Sequence, residues 1–433
     1  MKRSPSVLQF TQTSPRLMLF DLALGGHHGN YIQYLIDYAH KSAFAGAIDI
    51  VVLPQFFEIH QEVVTAISGY KYPAINLVPI SIEEASALGD RRSGISRTLR
   101  NFREWQIFCK YAKDLQTTHA LIMYLDTCEL PLAVGMPSPC PFSGIYFRPT
   151  FHYPTFVNYH PARKEQLQQW RQKVTLGRIL QHPQLQTLFC LDPFAVKAIA
   201  FDQHTAKIVH LADPVQPYPA MQLAPATLRT QLGIDPHRRV FMLFGALDGR
   251  KGIYQLLDAI QLLSLELCQH LCLLLVGKTN ATEQAMIQQK IVALRQTCPI
   301  QLVECYEFVP ENEVPTYFQL ADVVLATYQR HVGMSGILLL AAASGTPVLS
   351  SDYGLMGELV RLYQLGLAVD STMPAAIAQG LSRYLLESPE TLGDRTQMRL
   401  FAEQNSVDRY ASRIFQHLYP DTNPVSSIAV ESL

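Results

Sequence analysis

The chain of 433 residues is longer than one hydrophobic core usually serves, so two domains are expected. Hydrophobic residues at 48%, charged residues at 16% and 27 prolines fit an ordered globular protein and argue against long disordered regions. A formal net charge of −1 gives no global attraction to nucleic acid, so no nucleic-acid partner is expected and any anion must be held locally.

The eight cysteines include no CxxC pair and no Cys/His cluster at zinc spacing; they read as reduced thiols, and no metal site is expected. The opening MKRSPSVLQFTQTSPRL has no apolar run long enough for a signal peptide, and no segment has an uninterrupted apolar run of membrane-spanning length. A cytoplasmic protein follows, with peripheral membrane contact left open.

RLMLFDLAL is an apolar strand, broken by GGHHGN and followed by a helix on which Tyr31, Leu35, Tyr38 and Ala39 recur. A loop at the carboxyl end of a strand is where open α/β sheets bind ligands, which makes Gly25, Gly26, His27 and His28 candidate site residues. His28 has two readings: a proton acceptor or hydrogen-bond donor to a substrate hydroxyl, or part of a helix cap. IDIVVLPQF and INLVPISI are further strands. The following stretch carries Arg91, Arg92, Arg97, Arg100 and Arg103. It has the makeup of an interfacial helix on anionic lipid, although a solvated helix face is the commoner origin of such a run. HALIMYLDT predicts a strand ending in Asp126, and GIYFRPTFHYP one ending with Arg148 and His152, so that a carboxylate, an Arg and a His could face one cleft. QLQTLFCLDPFAVKAIAF and AKIVHLADPV continue the alternation before prolines 214, 217 and 219 mark a linker.

A second α/β series begins with VFMLFGALDGRKGIYQLLDAI and runs to HVGMSGILLLAAASGTPVLSSDYGLMGELV. Both ends join an apolar strand to a Gly-rich turn and a helix, an arrangement that aims backbone amides at an anion. Residues 1–215 are therefore expected to form one Rossmann-like domain and 216–400 a second. In 401–433 a terminal helix is expected to pack back toward the first domain, followed by a loose tail.

Five landmarks occur in order and spacing: FGALDGRKGIYQLLDAI, LLLVGKT, YEFVPENEVPTYFQLADVVLATY, SGILLLAAASGTPVLSSDYG and GELV. On these, the chain from about Leu228 to Leu367 resembles the C-terminal domain of group 1 (family-4) retaining glycosyltransferases; LGGHHGNYIQYL and HLADPV match the other half more loosely. The resemblance implies an α/β GT-B fold, two Rossmann-like doubly wound domains facing across a cleft. It also implies hexosyl transfer with retention and without an obligatory metal. The donor is a nucleoside diphosphate sugar, a substrate and not a cofactor, and the acceptor is a hydroxyl of a saccharide or lipid-linked molecule.

By the same resemblance Lys251 binds phosphate with Arg250 beside it, and Gly245 and Gly252 let the backbone approach. The base falls around Gly277, Lys278, Phe308 and Val309. Gly333, Ser335, Gly336 and Ile337 present donors to the diphosphate after Arg330 and His331, and Glu358 caps the next helix or binds a hydroxyl. The chain also departs from the family. Ala246 stands where an Arg is common, and Val332 and Leu340 occupy the positions of the paired glutamates. A leaving phosphate acting as the base tolerates that loss. The other reading is a non-catalytic GT-B binding or scaffold protein.

Overall fold

The computed structural model describes residues 15–25, 28–70, 74–89, 94–159, 161–200, 208–215 and 224–420. The first sheet contains β1 (Arg16–Asp21), β2 (Ala47–Val52), β3 (Ala74–Pro79), β4 (His119–Ile122), β5 (Phe142–Tyr146), β6 (Leu185–Cys190) and β7 (Ile208–His210), in the order β3-β2-β1-β4-β5-β6-β7. The second contains β8 (Arg239–Phe244), β9 (Leu271–Val276), β10 (Gln301–Cys305), β11 (Val323–Ala326), β12 (Val348–Ser351) and β13 (Gly366–Val369), in the order β10-β9-β8-β11-β12-β13. Every pairing is parallel. Runs such as LMLF and LCLLLV are apolar without alternation because helices cover both faces of each sheet. The one carboxylate inside β2, Asp49, is buried but matched by Arg16 at 2.6 Å and Asn76 at 2.8 Å.

On one face of the first sheet the helix His28–Lys41 packs with the helix Val407–Leu418, so the end of the chain returns to the sheet that begins it. The other face is covered by the helices Gly94–Asp114 and Arg163–Leu180, through Trp105, Phe108, Leu176 and Ile179. The two halves share a core: Tyr153, Phe156 and Tyr159, which follow β5, pack among Met242, Val324 and Leu338 of the second half. Asn158 donates to Asp352 at 2.9 Å, and Tyr159 lies 5.2 Å from Tyr353, ring to ring.

Strand order reverses between β1 and β4 and again between β8 and β11. A crevice opens at such a switch point, at the carboxyl ends of the strands.

Two strands are shorter than their apolar patterns predict. The HALIMYLDT strand stops at Ile122, and Asp126 lies in the 3-10 turn Leu125–Thr127, where backbone amides can reach its carboxylate. The GIYFRPTFHYP strand stops at Tyr146; Pro149 offers no amide to a ladder, and His152 precedes another 3-10 turn, Tyr153–Thr155. In the arginine-rich stretch, Arg91 and Arg92 lie outside the described residues. Arg100 pairs with Glu104 at 2.6 Å, Arg103 donates to the Ala87 carbonyl, and Arg97 is exposed.

Burial pushes His119 and His210, on β4 and β7, down to about 4. The folded chain then binds fewer protons than the unfolded chain between about pH 4 and 6.5, so these groups withdraw stability as pH falls through that window. Each can withdraw up to about 3 kcal/mol. Urea midpoints from pH 7.5 to 4.5 should fall, and His119→Gln should make the decline shallower than in the unaltered chain.

Candidate functional site

The second switch point is built around a turn of small residues. β8 ends at Phe244, and Gly245 follows with φ +99; a Cβ there would sit 2.8 Å from the Lys251 ammonium. Lys251 closes the 3-10 turn Gly249–Lys251 and is only 4% exposed. Its ammonium donates to the Phe244 carbonyl and lies 5.0 Å from the centre of the Tyr328 ring. The Arg250 guanidinium approaches the same ring at 6.0 Å but is more than half exposed, with Asp248 at 3.7 Å. The aromatic face therefore collects two cations where the backbone is least bulky.

Gly252 has φ +75, and a Cβ would meet the Thr327 carbonyl oxygen at 2.1 Å, a contact between two backbones that no rotamer can relieve. Gly252→Ala should cost about 3 kcal/mol or more, read as a fall in the urea midpoint. Gly277, with φ +130, is held by the same logic: its Cβ would come 2.1 Å from the Gly245 carbonyl oxygen. Its role in the structure is close packing of one turn on the other.

After β11, buried Tyr328 pairs its hydroxyl with that of Ser335 at 3.0 Å and accepts from Ser371 at its carbonyl, 2.7 Å. The His331 ring lies 5.0 Å from Tyr328, and its Nε2 is 3.3 Å from the Met334 carbonyl. Burial, with the positive fields of Arg250, Arg148 and Lys251, holds His331 below its ordinary value. Arg148 follows β5 of the first sheet, so the first half adds to the positive field at His331. Arg330 is exposed and, with φ +46, turns the chain into this loop.

Two of the donors expected to meet an anion already have partners. The Gly333 amide donates to the Tyr153 hydroxyl at 3.0 Å, and Ser335 faces Tyr328. Gly336 opens the helix Gly336–Ser344, and the Ile337 side chain is buried beneath it. Val332 and Leu340 pack against the core of the second half.

At the first switch point β1 ends in Asp21, whose buried carboxylate lies 2.7 Å from His28 Nδ1 and accepts the Ala23 amide at 2.9 Å. His28 begins its helix, with the Tyr124 ring 5.5 Å away and Phe147 at 6.2 Å. Asp21, Glu104, Tyr124 and Thr127 line a shallow recess of about 10 Å³, room for no more than a water molecule. Gly25 is exposed with open space where a Cβ would be, whereas Gly26 and His27 lie outside the described residues.

The remaining expected site residues are scattered. Asp126 is half-buried and accepts the amides of Phe147 and Arg148 at 2.9 and 3.1 Å; desolvation of its carboxylate and Glu129 push it up to about 7. It braces the Arg148 loop. His152 is buried beside Asp192, at 3.0 Å, among the rings of Phe151, Tyr153 and Phe156. Glu358 sits inside the helix Gly354–Leu362 and pairs with Arg361 at 2.6 Å, so it caps nothing. Lys278 lies 5.1 Å from the ring of Phe308, which is 64% exposed, while Val309 is half-buried on the core.

A larger open groove, about 620 Å³, lies at the amino end of β13, but Arg361 and Arg395 in its lining are paired with Glu358 and Glu390.

Sequence reading missed Asp21, Tyr153 and Tyr328. A carboxylate closing an apolar strand directly before a Gly-rich loop was the available signal for Asp21. Nothing local marked the two tyrosines, whose partners are distant in the chain.

Residues 238–387 match the family model described as glycosyl transferases group 1. The Bacillus subtilis protein YtcC is 27% identical over 164 residues, covering 36% of this chain and 39% of that protein. D-inositol 3-phosphate glycosyltransferase of Corynebacterium diphtheriae is 27% identical over 182 residues, covering 42% of this chain and 41% of its own length. The chain thus spans about two fifths of the length of the curated relatives it matches. Among solved structures, Anabaena HepE in complex with UDP-glucose superposes with a TM-score of 0.62 at 13% identity, covering 94% of this chain and 99% of that one.

Proposed function

We propose that this chain, whose residues 238–387 match the group 1 glycosyltransferases and whose two sheets form the GT-B fold, moves a hexosyl-type sugar from a nucleoside diphosphate sugar to a hydroxyl of a saccharide or lipid-linked acceptor. One observation carries the reading: Arg250 and Lys251 gather over the Tyr328 ring at a switch point, beside His331. Departure of a diphosphate concentrates negative charge, and a cation fixed in place beforehand stabilises that charge without reorganising. Lys251 supplies the buried charge and Arg250 an exposed, adjustable one, which makes an obligatory metal unnecessary. Phe308, with Lys278 beside it, offers an aromatic face for the base. The UDP-glucose held by HepE supports this donor class.

Retention follows if the leaving phosphate removes the acceptor proton, a route that needs no carboxylate at positions 332 and 340. A cytoplasmic site of action belongs to the same proposal; among the described residues no helix is long and apolar enough to cross a membrane.

One observation favours a second reading, a non-catalytic binding or scaffold protein: the half-buried side chains of Val332 and Leu340 pack against the core and offer the ribose nothing polar. Calorimetric titration with a panel of sugar nucleotides, followed by mass spectrometry of products with and without candidate acceptors, separates the two. Transfer or slow donor hydrolysis supports the enzyme, whereas binding without turnover, or no binding to any donor, defeats it and leaves the binding or scaffold protein.

A further inference from the structure

We infer that the outer face of the helix Arg163–Leu180 is a docking surface for an anionic lipid bilayer. The helix has 18 residues, a length of about 27 Å. Its inner face buries Gln169, Leu176, Ile179 and Leu180. Residues 167, 170 and 174 follow the i, i+3, i+7 spacing of a single face. That face holds Leu167 at 65% exposure, Trp170 at 64% and Val174 at 42%, apolar side chains that the fold leaves in water.

Charge identifies the partner. Arg163, Lys164, Arg171, Lys173 and Arg178 are all exposed on this helix, against one acidic residue, Glu165, whose carboxylate is occupied by the Ala162 amide at 2.9 Å. A short apolar stripe with tryptophan, flanked along its length by Lys and Arg, suits a surface that is apolar at depth and anionic at its rim. A protein partner would have to supply an acidic border around an apolar patch; a bilayer of anionic lipid presents both everywhere.

The helix covers the same face of the first sheet as Gly94–Asp114, on which Arg97 and Leu99 are also exposed. Nothing in this inference depends on the chemistry proposed for the cleft.

The chain has two tryptophans, and Trp105 is fully buried, so Trp170 reports on this helix almost alone. The full chain should be mixed with phosphatidylcholine vesicles and with vesicles containing phosphatidylglycerol. Only the anionic vesicles should shift Trp170 emission to the blue, shield it from acrylamide and carry the protein into the pellet, and added salt should reverse this. Leu167→Ser/Trp170→Ser/Val174→Ser, read by sedimentation, should lower the partition coefficient by roughly tenfold or more. Arg163→Gln/Arg171→Gln/Arg178→Gln, which keeps the tryptophan, should lose the preference for anionic lipid. Melting curves and sugar-nucleotide binding should not change in either variant.

Absence of an emission shift with anionic vesicles, or undiminished sedimentation of the serine variant, would overturn the inference. So would a concentration-dependent dimer that the serine substitutions abolish while vesicle binding is nil.

Discussion

Lys251→Met is expected to lower turnover at saturating donor by about 10²- to 10³-fold, the usual cost of removing one preorganised group that stabilises developing charge. The side chain is nearly fully buried, fixed by the Phe244 carbonyl and backed by Tyr328, so its charge is aimed and poorly screened. Met keeps the apolar stem and removes the charge, which separates electrostatics from packing. Arg250→Ala should cost less, because the guanidinium is more than half in solvent and its field is screened. Steady-state kinetics on the donor identified by titration, paired with urea midpoints for each variant, distinguish the contributions. If Lys251→Met lost stability in proportion to its fall in turnover, the lysine would be a structural pin for the Gly245 turn and the proposed electrostatic role would fail.

The second half of the fold was readable because its information is local. VFMLFGAL, LCLLLVG and TPVLSSD are strands by continuous apolarity, and Gly245, Gly252 and Gly277 lie where turns touch. The limits of local reading appear where tertiary partners decide. Asp126, expected at a strand end, lies in a 3-10 turn where the amides of Phe147 and Arg148, from another loop, hold its carboxylate. The same holds for His152, drawn under Asp192 and three rings, and for Gly333, whose amide is taken by a tyrosine 180 residues earlier. Only the capping role expected of Glu358 falls, for a simpler reason: its helix begins four residues before it. In the arginine-rich stretch too the partners are tertiary: Arg100 and Arg103 hold their own loop, and the exposed apolar stripe lies on the next long helix of that sheet face.

His28→Ala should reduce acceptor-dependent transfer by about 10²-fold while leaving donor affinity and acceptor-independent donor hydrolysis nearly unchanged. A carboxylate only accepts hydrogen bonds, so the 2.7 Å contact with Asp21 places a hydrogen on His28 Nδ1 and leaves Nε2 as the acceptor in the neutral ring. Its task in the proposed reaction is to hold the acceptor hydroxyl, accepting its hydrogen bond while the leaving phosphate takes the proton. Asp21→Asn keeps the shape but can pair an amide N–H with Nδ1, which moves the ring hydrogen to Nε2 and turns an acceptor into a donor. That variant should lose most of the transfer rate although His28 is intact, and His28→Gln should recover part of it through its side-chain carbonyl. A packing role predicts a different pattern: both variants would melt earlier, and hydrolysis and transfer would fall together. Transfer that proceeded at the unaltered rate in a stably folded His28→Ala chain would remove the first switch point from the reaction and leave it a structural junction between β1 and its helix.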